Sequence, residues 1–114
     1  SQIIPAATVY QQRLAQAITG AREALGKSAD LSAQQELLKR ITELVNKTYA
    51  THKDILAGID KASSIHDEQK KAEMLCSKVK PKMNALRDYV DELEGLVDDE
   101  LWPLPKFWEM LFIS

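Results

Sequence analysis

The sequence predicts an all-α protein: an up-down-up bundle of three long helices, the third kinked near Pro81, with a short aromatic C-terminal segment packing back. Three observations carry this expectation. Only four Gly and four Pro interrupt 114 residues that are otherwise rich in Ala, Leu, Lys, Glu and Gln, side chains that lose little freedom in a helix. Apolar residues recur at three- and four-residue steps over three long stretches, which is the period of one helix face. Two polar stretches, Lys27–Asp30 and Asp60–Ser64, supply the turns between them. The length suits one domain with a real core, so residues 1–114 are taken as a single helical domain. Its helices are expected over about 5–25, 33–59, 64–80 and 81–100, with a tail over 101–114.

The first helix follows from Pro5, whose missing N–H costs nothing in a first turn. Ala7, Tyr10, Leu14, Ala17, Ile18, Ala21 and Leu25 then continue the stripe. Gly20 weakens the middle of this helix by about 1 kcal/mol relative to Ala, a cost accepted where another helix comes close. Gly26 is the natural stop. Ser32 with Gln35 forms a capping-box pattern that opens the second helix. Its stripe is Leu38, Ile41, Val45, Thr48, His52, Ile55 and Ile59, flanked by Leu37, Leu44, Tyr49 and Leu56, in a near-heptad rhythm. Gly58 is expected to loosen its end. The third helix starts near Ser64, where Asp67 and Glu68 complement the helix dipole. Its stripe of Ala72, Leu75, Val79, Met83, Leu86, Val90, Leu93, Val97 and Leu101 passes Pro81 without losing rhythm, so a kink or two nearly collinear helices are expected there.

Charge is sorted along the last helix. Lys70, Lys71, Lys78, Lys80, Lys82 and Arg87 give way to Asp88, Asp91, Glu92, Glu94, Asp98, Asp99 and Glu100. Carboxylates near a helix C-terminus oppose its dipole, so either the helix frays near Asp98 or basic groups from elsewhere compensate. The acidic run is a solvated face or a docking surface for a basic partner or another subunit.

Chemistry-bearing clusters are sparse. His52 and His66 are the only histidines, and they lack the converging ligands that zinc requires. His52 falls on the apolar stripe and is expected to be half-buried and hydrogen-bonded. Cys76 lies beside the third stripe as a packed thiol, and a single cysteine, unable to form an internal disulfide, fits a reducing cytoplasm. Carboxylate pairs such as Asp91 with Glu94, or Asp98 with Glu100, have no pocket around them to shift their pKa values. No phosphate-binding Gly-rich loop or nucleophile elbow is present. A net charge of −2 offers no field for nucleic acid or an anionic membrane, and no apolar run approaches the roughly 20 residues of a membrane span. No catalytic, cofactor-binding or metal-binding residue is assigned.

The end of the chain is the exception. Trp102-Pro103-Leu104-Pro105 leads into Phe107-Trp108-Glu109-Met110-Leu111-Phe112, and this tail holds four of the seven aromatic residues. Burying one such side chain is worth roughly 1.5–3 kcal/mol, so the tail is expected to cap the bundle or fill a groove on another body. Trp102, Pro103, Phe107, Trp108, Leu111 and Phe112 are the candidate interaction residues.

The same ending, with Leu93-Glu94, Val97 and Leu101 before it and Leu111-Phe112 after, resembles the C-terminus of the type III glutamine synthetases, the large-subunit bacterial form. Ile3-Ile4-Pro5-Ala6-Ala7, Tyr10-Gln11 and Arg13-Leu14 are similar to the opening of that family's C-terminal helical region. The resemblance implies a fragment of a larger glutamate–ammonia ligase that forms glutamine with ATP and magnesium or manganese in a large ring-shaped oligomer. Those cofactors belong to sequence outside this chain. The implied role is a structural or oligomerisation domain without an active site of its own, partnered by the rest of the enzyme and by neighbouring subunits, in the cytoplasm. Two other readings remain: a free-standing adaptor that uses the Trp102–Phe112 tail, and a ligand-sensing bundle with a pocket around His52, Tyr49 and Tyr89.

Overall fold

The computed structural model describes residues 3–100, the last three by their backbone alone. The described residues are helical apart from two short connections. Helix α1 spans Ile3–Leu25 and α2 spans Ser32–Ser63. Helix α3 spans Glu68–Met74 and runs through one π turn, Leu75–Val79, into α4, Lys80–Glu100. The aromatic tail lies outside the described residues. Two compact units divide the described residues: 3–45 with 92–100, and Asn46–Asp91. Helices α2 and α4 each contribute to both.

In the first unit α1 buries Ile3, Ala7, Tyr10 and Leu14 at steps of four, three and four, as a single helix face requires. Gly26 ends it with φ +90, a conformation open to Gly and costly for a side chain. Its N–H donates to the Arg22 carbonyl at 2.8 Å, closing the last turn. Helix α2 opens differently from the expected capping box. The Ser32 hydroxyl donates to Asp30 Oδ1 at 2.6 Å and the Ser32 N–H to the same oxygen at 3.1 Å. The Gln35 N–H donates to the Leu31 carbonyl. The Ser32 hydroxyl, then its N–H, hold the Asp30 carboxyl below the ordinary aspartate range. Leu31, Ile41, Leu44 and Leu93 complete the core of this unit. Gln11 Nε2 donates to Thr42 Oγ1 at 2.9 Å, and Arg40 grips both oxygens of Glu92, Nη2 to Oε1 at 2.7 Å. That bidentate bond, ahead of the attraction to Glu43, raises the Arg40 pKa. One carboxylate of the acidic run is thus answered by a basic group on another helix. Gly20, expected at a helix crossing, faces open space.

The second unit is a helical hairpin. Lys47 sits over the Tyr89 ring, Asp54 pairs with Lys82 at 3.7 Å, and Gly58 faces Val79. Partner numbers fall as α2 numbers rise, so the two limbs run antiparallel. The α2 seam is Thr48, Ile55 and Ala62, all buried, with half-buried Thr51 and Gly58 interleaved at heptad spacing. Small residues dominate that seam and let the backbones approach: a Cβ built on Gly58 would lie 2.9 Å from Val79 Cγ2. Gly58 is therefore a contact point and not a loosened end, and α2 continues to Ser63. The Thr48 hydroxyl is buried and lacks a hydrogen-bond partner. His52, expected half-buried, is exposed, because the seam turns on the small residues and leaves the His52 position on its flank.

Helix α3 starts at Glu68 and not near Ser64, and Asp67 caps it: its Oδ1 accepts from the Gln69 N–H at 2.9 Å and the Lys70 N–H at 3.2 Å. The expected interruption at Pro81 lies one turn earlier. The Lys80 N–H donates five residues back, to the Leu75 carbonyl, and this widened turn precedes a proline that has no N–H to give and would crowd the carbonyl four residues before it. Helix continues on both sides. Cys76, expected packed, lies on this turn and is exposed.

Candidate functional site: an apolar groove on the second unit

Two antiparallel helices can bury one seam between them, and any apolar residues beside that seam remain in water. Unit two has such a surplus on one side only. Ile59 is 45% exposed and Met83 53%, and both flank the seam positions Ile55 and Val79 by four residues, one helical turn along. Ile59, Leu75, Val79 and Met83 line one cleft together with Cys76 and Lys80. Met83 continues into a second cleft with Ile55, Leu86 and Val90, edged by Arg87 and Asp91. The two share Met83 and form one groove along the hairpin. Leu56 and Tyr49 are exposed on the same helix, and Lys53 lies 5.5 Å from the Tyr49 ring centre.

The other side of the hairpin carries four charged residues, Asp54, Lys61, Lys78 and Lys82, around Ala57, Gly58 and Met74. One side therefore suits solvent and the other suits apolar side chains from another segment. The groove offers shape and apolar area, with Lys80 and Arg87 as cations at its edge, which is equipment for docking. A ligand pocket around His52, Tyr49 and Tyr89 does not form: His52 and Tyr49 are both exposed, and the face of each tyrosine carries a lysine. Among the described residues no group of three or more His, Cys, Asp or Glu side chains is placed to hold a metal ion. No helix among them is long and apolar enough to cross a membrane.

The candidate interaction residues Trp102, Pro103, Phe107, Trp108, Leu111 and Phe112 lie outside the described residues. The groove itself is a feature that residue patterning misassigns. Ile59, Met83 and Val90 read as core stripe in sequence, and the structure makes them groove wall. The available signal is a stripe wider than one seam needs.

Comparison with known proteins gives two relatives. The chain is 30% identical to the type-3 glutamine synthetase of Dictyostelium discoideum over 114 residues, covering 97% of this chain and 16% of the relative. It is 32% identical to a glutamine synthetase of Bacteroides fragilis over 118 residues, covering 98% of this chain and again 16% of the relative. Over nearly its whole length the chain is similar to glutamine synthetases, one of them of type 3. It spans about a sixth of the length of these relatives. The glutamine synthetase likeness read from the two ends of the sequence is therefore borne out across nearly all of it. The relatives are not bacterial alone, which widens the form the resemblance suggested. No protein-family model and no solved structure matches the chain.

Proposed function

We propose that this chain is the C-terminal helical packing domain of a type-3 glutamine synthetase, supporting assembly of the enzyme without an active site of its own. The observation that carries the reading is the coincidence of two facts. Nearly the whole chain aligns with a small part of glutamine synthetases, and the described part displays an apolar docking groove. In this reading ATP, the divalent metal and the glutamate–ammonia ligase chemistry belong to the remaining five-sixths of the enzyme. The partners of the domain are that remainder and neighbouring subunits, in the cytoplasm.

The test removes the domain from the parent enzyme. Oligomer mass by light scattering and ATP-dependent glutamine formation are measured before and after deletion. The expected result is a smaller assembly with reduced activity, and full assembly with unchanged activity would refute the packing role.

A further inference from the structure

The groove of the second unit has walls, a length and a charged edge, and these features constrain what fills it. From Ala72 to Val90 it runs about 27 Å at the α-helical rise. Its floor is aliphatic, and Lys80, Arg87 and Asp91 stand at its edge, two cations to one acid. An occupant must be apolar along a similar length and must carry acid beside its apolar residues.

The segment Trp102–Phe112 meets both requirements. It places Trp, Leu, Phe and Met side chains along eleven positions. Extended chain covers about 3.3 Å per residue, so the segment spans about 36 Å at most. Glu109 and Lys106 balance within it, and Asp98, Asp99 and Glu100 precede it, a surplus of acid opposite in sign to Lys80 and Arg87. The segment follows α4, whose helical rise from Met83 to Glu100 is about 26 Å. The Val90 end of its own groove lies about 15 Å back along the helix and the Ala72 end about 42 Å, so the segment cannot fill its own groove to the far end, a constraint that a second molecule's tail does not face.

We propose that this groove receives the Trp102–Phe112 segment of a second copy of the chain. Exchange of tails between copies then holds packing domains together, with tryptophan and phenylalanine anchors dominating the energy, as they do at other interfaces. The inference deepens the packing-domain reading and rests on it.

The sequence supplies its own probes. Both tryptophans of the chain are in the tail, and Cys76, its single cysteine, stands in the groove wall. A Trp102→Phe/Trp108→Phe chain is labelled at Cys76 with an aminonaphthalene dye that accepts tryptophan emission. It is titrated with an unlabelled Cys76→Ser chain. Expected is dye emission, excited through tryptophan, that rises with the unlabelled chain and saturates. Met83→Glu or Ile59→Glu in the labelled chain should weaken the association at least tenfold, whereas Leu25→Glu, on an exposed position of the first unit, should leave it unchanged. Circular dichroism checks that each variant keeps its helices. Light scattering of the unlabelled chain, expected to show a dimer or larger species, covers the case in which the dye obstructs the groove. No transfer together with a monomer mass overturns the proposal. So does transfer seen only within single chains that carry both probes, independent of concentration, since the tail would then fill its own groove. If exchange fails here while deletion still disrupts the parent enzyme, the packing role stands and only its groove-and-tail form falls.

Discussion

Gly58 and Gly20 are chemically identical and both sit inside helices, yet their surroundings give them opposite meanings. At Gly58 a methyl group would press on Val79 Cγ2, part of a buried, β-branched side chain with little freedom to move aside. At Gly20 the same methyl meets nothing within 4 Å. Helix propensity alone favours Ala over Gly by about 1 kcal/mol at either site. Gly20→Ala is therefore expected to raise stability by about that amount, and Gly58→Ala to lower it, since overpacking costs about 1–3 kcal/mol. Thermal unfolding followed by circular dichroism measures both, and a Gly58→Ala/Val79→Ala chain should recover part of the loss if contact with Val79 is the cause. Equal stabilisation by both single changes would contradict the close approach. Thr48 shows the same dependence on surroundings: its hydroxyl reads from sequence as a tolerable helix residue, and only the packed seam leaves it buried without a partner.

At the scale of elements, the second connection is held by its own local hydrogen bonds. The Ser64 N–H donates to the Lys61 carbonyl and the Ile65 N–H to the Ala62 carbonyl, finishing α2. Asp67 then satisfies two of the free N–H groups of α3. Removing this cap by Asp67→Ala should cost about 1 kcal/mol. Amide exchange of Gln69 and Lys70 should quicken, with that of α1 unchanged. Unchanged exchange at those two amides would mean that the cap contributes nothing. The π turn at Leu75–Val79 is a second element-level device. Lys71, Leu75 and Val79 are all at least half-buried at two successive four-residue steps, one residue more than two regular heptad intervals supply. A turn widened to five residues takes up the surplus and also prepares the backbone for Pro81. The sequence marks the proline and not the turn that accommodates it, because the hydrogen-bond shift is shared among residues with no special side chains.

At the scale of the molecule, burial separates residues that hold the fold from residues available to a partner. Leu93 is fully buried, and Leu93→Ala should cost about 2–5 kcal/mol through lost contacts and the cavity left behind. Met83 is half in water, so Met83→Ala should shift stability by only about 0.5 kcal/mol while weakening self-association. Urea unfolding for the first quantity and light scattering for the second check the pair. A large loss of stability at Met83 would make the groove part of the core and remove it as a docking surface.

The sequence by itself determined the helical class, the position of the first turn, the Gly26 stop and the likeness to glutamine synthetases. Each of these depends on local periodicity, on one residue's backbone freedom or on direct matching of residues. Only the tertiary structure decided which of two neighbouring stripes on α2 enters the seam. Ile55 and Ile59 are four residues apart and so differ by about 40° around the helix, too little for hydropathy to choose between the stripes they belong to. The close approach of the limbs at Gly58 and Val79 chose the stripe of Thr48, Ile55 and Ala62 for the inside. Its bulkier neighbours Ile59 and Met83 were left at the surface, because close packing of backbones favours small residues at the contact and displaces large ones to its edge.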